Sequence, residues 1–203
     1  MSIEYTLMRE VLTRLLSPGK RHRIFSKICC KFKVHYKEIN YMRLILILKI
    51  IVLMSISTIV TAQNRLMQFV DLHNEERASL GLNDLQWSDE LAGQAQQWAN
   101  AMAFKDQASH SGSGYGENIW FGDNNSATIE EMFELWLSEK QYFIESQPVP
   151  DNCSQSWDKC GHYSQIVWSR TSQIGCAAAA SQSNDYVVCR YDPPGNIQGQ
   201  KAY

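Results

Sequence analysis

Apolar positions recur with different periods along this chain, and the changes of period mark its elements. Leu66, Phe69, Val70, His73 and Arg77 follow at three- and four-residue intervals, the repeat of a helix with one buried face, and Gly81 is set to stop it. Leu82 to Trp87 reads as a short connection. Ser88 then stands as an N-cap, with Asp89 and Glu90 in the first turn, where carboxylates favour the positive helix end. The second helix carries Leu91, Ala92, Ala95, Trp98, Ala99 and Met102 on one stripe, with Gln94, Gln96 and Gln97 outward. A loop rich in Ser and Gly runs from Lys105 to Gly116, and Glu117 to Phe121 reads as a short strand.

A third helix is announced by Thr128 with Glu131 three residues on, a capping box, and by an apolar face of Met132, Phe133, Trp136 and Phe143. Glu139 lies seven residues beyond Met132; at about 3.6 residues per turn this aligns a carboxylate with the buried stripe. Glu134 and Glu145 read as surface charges. The segment between Phe143 and Cys160, with Pro148 and Pro150, is a long loop. Ile174 to Ala180 and Tyr186 to Arg190 form a strand pair across the turn Ser181 to Asp185.

The first 62 residues follow another pattern. Residues 1–41 are a basic leader, with Met8, Val11, Leu12 and Leu15 at helical spacing before Pro18-Gly19. Met42-Arg43 precedes an apolar run that is broken by Lys49 and ends Val60-Thr61-Ala62. A positive flank, an apolar centre and small residues before Gln63 make a secretory signal over 42–62, with cleavage expected after Ala62 and residues 1–41 outside the mature protein. The rival arrangement keeps 44–62 as an uncleaved anchor, since about 19 residues cross a bilayer, with the leader cytoplasmic and Cys29 and Cys30 open to acylation. Lys49 inside the run counts against it. Both arrangements put the domain 63–203 outside the cytosol.

Charge divides the chain at the same place. Of 203 residues with a net charge of −2, the first 62 carry 11 Lys and Arg against 3 Asp and Glu, and the remainder carry 8 against 18. A domain at −10 has no basic stripe for phosphate, which excludes nucleic acid as a partner. All six Trp lie in this acidic part and give it the aromatic bulk for a core.

Cys153, Cys160, Cys176 and Cys189 remain in the exported part, and four cysteines can pair in three ways. Their separation and the export signal favour disulfides over zinc, since no Cys-x-x-Cys is present.

Two motifs carry a resemblance: Gly161-His162-Tyr163-Ser164-Gln165-Ile166-Val167-Trp168 and Tyr186-Val187-Val188-Cys189-Arg190-Tyr191-Asp192-Pro193-Pro194-Gly195-Asn196. From about Leu66 to Tyr203 the chain resembles the CAP superfamily of cysteine-rich secretory proteins, venom antigens and plant pathogenesis-related proteins, the plant type above all. The resemblance implies an α+β fold, a three-layer α-β-α sandwich, with bridges Cys153–Cys160 and Cys176–Cys189 and a short helix opening at His162. Plant members usually carry a further bridge between positions near Asp106 and Ser181, and both of its cysteines are absent here.

The resemblance also implies that His110, Glu117, Glu139 and His162 form one cleft. Two imidazoles and two carboxylates are the ligand types for Zn²⁺ or another divalent metal with water at an open position, although no cofactor is required. The same groups serve equally as a polar plug in which each satisfies another. A metal-dependent hydrolase or protease is the enzyme alternative, with Ser164 the kind of residue proposed for proteolysis in this family. No motif for an activated nucleophile or oxyanion hole accompanies it, and the expectation leans against catalysis. A sterol or fatty acid is the partner that the resemblance implies, in a groove outside the tetrad, with Tyr142, Phe143 and Trp157 as candidate walls; core packing is the plainer fate of Phe143. The tail from Pro193 to Tyr203 resembles a C-terminal peptide that plant members release as a defence signal, with Ala202 in place of the usual proline; a Pro-Gly turn closing the domain is the simpler role.

Overall fold

The computed structural model describes residues 43–54 and 65–203. The basic leader 1–41 and the expected cleavage point after Ala62 lie outside the described residues. The chain divides into two units, Met1–Ile59 and Val60–Tyr203. In the first, residues 43–54 form helix α1 with exposed apolar side chains. Among the described residues no helix is long and apolar enough to cross a membrane.

The second unit is built on four strands, β1 (Gln86–Trp87), β2 (Gly116–Asp123), β3 (Gln173–Ala180) and β4 (Asn184–Asp192), in the spatial order β1-β3-β4-β2. β1 runs parallel to β3, and the other pairs are antiparallel. Side chains alternate across a strand, and β4 is apolar on both faces. Tyr186 and Val188 pack towards α3 (Asp89–Lys105) with Ala95, Ala99, Met102 and Ala177. Val187, Cys189 and Tyr191 face the opposite layer, which holds α2 (65–79), α4 (Ile129–Leu137) and α5 (Gly161–Ile166). The architecture is α+β, helices on both sides of a mixed sheet.

Local chemistry accounts for most boundaries. Ser88 caps α3, its side chain accepting from the Leu91 amide, and Thr128 and Glu131 form the complete capping box of α4. Gly81 follows α2 at φ +70°, a conformation that glycine adopts without strain. On α2, Phe69, His73 and Arg77 are fully buried one turn apart. His73 Nδ1 donates to the Phe69 carbonyl and its Nε2 accepts from the Tyr191 hydroxyl at 2.8 Å. Burial lowers the His73 pKa to about 3, so this imidazole is neutral. Arg77 spends its guanidinium on the carbonyls of Asn83, Ile166, Trp168 and Thr171, at 2.7 to 3.2 Å, and so holds the segment after α5.

Three expectations are corrected. The connection Leu82 to Trp87 contains strand β1, whose two residues are too few to show a period. The third helix ends at Leu137. Ser138–Tyr142 is a 3₁₀ turn, and Phe143 is extended and bridges to Cys153, so neither Glu139 nor Phe143 belongs to the α-helix. Gln94, expected outward, is half-buried and accepts from Arg190 Nη1 at 3.1 Å, because an arginine on the inner face of β4 needs an acceptor there.

Disulfides join Cys153 to Cys160 and Cys176 to Cys189, the second pair lying directly opposite on β3 and β4. Close to where the family resemblance implies a further bridge in plant members, Ser181 Oγ donates to Asp106 Oδ1 at 2.6 Å. The same oxygen accepts from the Tyr186 hydroxyl at 2.9 Å and from Asn184 Nδ2 at 3.2 Å. These bonds hold the Asp106 carboxyl below its ordinary pKa of 3.8.

The close approach of α3 to the sheet depends on Gly175. A Cβ there would overlap the Ala92 amide nitrogen and the Ser88 carbonyl oxygen, both backbone atoms that cannot swing aside. Gly175→Ala should therefore lift the first turn of α3 and cost about 1–3 kcal/mol, the range for overpacking. Urea unfolding of the intact chain measures it, and an unchanged midpoint would contradict this packing.

Candidate functional site

The site is assembled around the edge strand β2. Glu117 lies opposite Arg190 on β4, and Asn118 lies opposite Cys189. Alternation sends Glu117 to the α3 side of the sheet and Asn118 to the side of α4 and α5. The two His–Glu pairs therefore approach from opposite faces and meet at the sheet edge.

The first pair is His110 and Glu117. His110 Nδ1 is 2.9 Å from Glu117 Oε1, which also accepts from the Ser111 amide at 2.9 Å. Glu117 Oε2 accepts from Ser111 Oγ at 2.8 Å and has Arg190 Nε at 3.6 Å. Arg190 Nη2 donates to Ser111 Oγ at 3.1 Å, so the carboxylate is ringed by donors. Desolvation would raise the Glu117 pKa, but the bonds from His110 and Ser111 outweigh it and the net shift is downward. The hydrogen bond to Glu117 raises the pKa of His110.

The second pair is Glu139 and His162. Glu139, from the 3₁₀ turn, holds His162 Nδ1 with Oε1 at 2.6 Å, while its Oε2 accepts from the amides of His162 at 2.8 Å and Tyr163 at 3.1 Å. It thus caps the first turn of α5, where the exposed amides favour an anion. The His162 ring stacks on Trp136 at 5.9 Å, and its carbonyl accepts from Asn118 Nδ2 at 3.2 Å.

These groups border a cavity of about 640 Å³. His110, Glu117 and His162 line it together with the apolar side chains of Val149, Pro150 and Trp157. Glu139 stands behind His162 and is not part of the lining. Of the candidate groove residues, only Trp157 reaches this cavity. Phe143 packs between the rings of Tyr163, at 5.2 Å, and Tyr203, at 6.0 Å, and the Tyr142 carbonyl is taken by Ser154. Ser164 is fully buried, its Oγ accepting from Asn152 Nδ2 at 3.0 Å.

Residues that the sequence reading did not single out complete the site. Asn118 and Arg190 owe their place to strand register, which the sequence does not display. Asn196 and Gln198 come from the C-terminal segment, which also lines the cavity. That segment is docked: Gly195 N donates to Gln165 Oε1, Asn196 Nδ2 to the Gly161 carbonyl, and Gly199 N to the Val149 carbonyl, each at 2.9 Å. Ala202 is fully buried and its carbonyl accepts from the Ser169 amide at 2.7 Å. The tail thus closes the domain.

The donor set bears on a metal. Both imidazoles use Nδ1 for a carboxylate, which leaves their Nε2 atoms as ligands, while Glu117 and Glu139 are committed to protein donors. In this arrangement a divalent ion would be held by His110 and His162 through Nε2, with the two carboxylates orienting the rings. Among the described residues no three His, Cys, Asp or Glu side chains form a metal-binding group.

The His110–Glu117 pair has a definite pH signature. The raised His110 pKa gives stability that is complete below 6.5 and is lost as the pH rises through the native value. The lowered Glu117 pKa gives stability complete above 4.5 and lost as the pH falls through its native value. Histidine NMR titration should give His110 a pKa above 6.5, returning towards 6.5 in Glu117→Gln. A His110 that titrates identically in both proteins would refute the pairing.

Comparison with known proteins agrees with this architecture. The cysteine-rich secretory protein family, CAP, matches residues 70–191. Pathogenesis-related protein 1C of Nicotiana tabacum is 38% identical over 143 residues, covering 70% of this chain and 83% of that protein. Pathogenesis-related protein 1 of Arabidopsis thaliana is 30% identical over 168 residues, covering 82% of this chain and 99% of that protein. Among solved structures, NaASP2 with Zn²⁺ shares the fold with a TM-score of 0.59 at 23% identity, over 68% of this chain and 84% of that one. BmVAL-1 does so with a TM-score of 0.56 at 24% identity, over 68% and 81%. The chain belongs to the CAP family of cysteine-rich secretory proteins, and its curated relatives are plant pathogenesis-related proteins of type 1.

Proposed function

We propose that this protein is secreted, with the domain 63–203 as its mature form, and that it acts in defence or host interaction by binding an extracellular ligand in the cleft without converting it. The observation that carries the reading is the cavity of about 640 Å³, lined both by imidazoles held by carboxylates and by the apolar side chains of Val149, Pro150 and Trp157. Its size lies within the ordinary range of about 300–1,000 Å³ for small-molecule sites. A few convergent polar groups within an otherwise apolar lining are what orient a ligand in such sites.

The hydroxyls nearest the histidines are poorly disposed for nucleophilic attack. Ser164 Oγ is buried against Asn152, and Ser111 Oγ is tied to Glu117 and Arg190. Neither is bonded to an imidazole, which an activated nucleophile requires. The acidic character of 63–203 and the apolar run with small residues before Gln63 support export. The relatives' pathogenesis-related names support a role in defence. A sterol or fatty acid is the ligand class that family resemblance suggests, and a divalent metal on the two Nε2 atoms would add a Lewis acid to the cleft.

Two measurements test this. Mass analysis of the exported protein should find Gln63 at its N-terminus; full-length chain retained in membranes would overturn export. Heat on titration with Zn²⁺ should be lost in a His110→Ala/His162→Ala double variant, whereas saturable uptake of a labelled sterol or fatty acid in a groove outside the tetrad should survive it. If no such ligand binds and the histidine resonances never move, the binding reading fails.

A further inference from the structure

The cleft has a composition that discriminates among ligand classes. No Lys or Arg is among the described residues that line it, whereas Glu117 and Asp158 are. A phosphate, a sulfate or a polyanion would meet carboxylates with only imidazoles to offset them. A long alkyl chain would fare no better. It would bury the polar edges of the two histidines and the Gln198 amide against carbon, and each polar group left unpaired costs about 1–3 kcal/mol.

A neutral polyhydroxylated ring satisfies both sides. Each hydroxyl both donates and accepts, and so matches amide and imidazole edges without charge. The flat carbon face of a pyranose suits the indole of Trp157, which is 37% exposed at the cavity. The indole lies beside Gly161, where an added Cβ would come within 3.4 Å of its Nε1 and Cε2. Gln198, exposed on the docked tail, offers a free amide at the same rim. Its backbone is fixed by the bridge to Val149 and by Gly199 N donating to the Val149 carbonyl at 2.9 Å.

Building on the reading that this cleft binds an extracellular ligand, we propose that it takes a neutral saccharide, with Trp157 as the stacking platform and Gln198 of the tail as a hydroxyl-reading group. The tail is then a wall of the binding site as well as a closure of the fold.

The test is NMR titration of the intact exported chain with neutral tetrasaccharides of β-1,4-linked glucose, β-1,3-linked glucose and β-1,4-linked N-acetylglucosamine. A sulfated tetrasaccharide, a sterol and a fatty acid are run alongside. At least one neutral saccharide should saturate the shifts of the Trp157 indole N–H and the His162 ring, and the sulfated one should bind more weakly. Trp157→Ala should abolish the response and Trp157→Phe should restore part of it. Gln198→Ala, at an exposed side chain that the fold does not need, should weaken binding by about three- to tenfold, the loss of one hydrogen bond. Saturation by the sterol or fatty acid alone would overturn the saccharide class while leaving the cleft as a binding site. Silence from every ligand would overturn both.

Discussion

Two-sided burial of β4 is the constraint on which this domain depends. A strand with apolar side chains on both faces needs a layer on each, and α3 supplies one while α2, α4 and α5 supply the other. The alternation that buries β4 also dictates what its neighbour β2 can do. Successive residues of β2 point to opposite layers, so Glu117 and Asn118 cannot serve the same face. A site that uses both must wrap around the sheet edge, and the cleft does so.

Electrostatics follow from this placement. Arg190 arrives beside Glu117 because the register pairs them, and it would be a buried charge without that carboxylate, Gln94 and Ser111. On the other layer, Glu139 answers a different need, the unpaired amides at the start of α5. Each carboxylate of the cleft thus has a structural task before any ligand is considered, and each performs it while fixing one imidazole through Nδ1. The histidines are oriented at no further cost to the fold, and their outer nitrogens remain available.

Much of this was legible in local patterns. The caps at Ser88 and Thr128, the stripe of α3 and the strand pair near the C-terminus follow from short-range chemistry that the sequence displays. Glu139 is instructive, because helical periodicity singled it out through a helix that in fact ends two residues earlier; what places it inward is its role as the cap of α5. Strand register was not legible, since a one-residue slip reverses every side chain, and with it went Asn118, Arg190 and the inward turn of Gln94. The tail's part in the cleft was hidden for a related reason. Asn196 and Gln198 reach it through a bridge to Val149, nearly fifty residues away in the chain, and no spacing records that contact.

The corner formed by Asp106, Ser181, Asn184 and Tyr186 is held by hydrogen bonds alone. A cystine at that corner would answer to electron transfer, holding until a thiol or reductase cuts it. Three hydrogen bonds converging on one carboxylate answer to protons instead, holding while Asp106 is ionised and loosening as acid neutralises it below the free value of 3.8. Thiol exchange, which can cut a cystine, leaves this corner untouched.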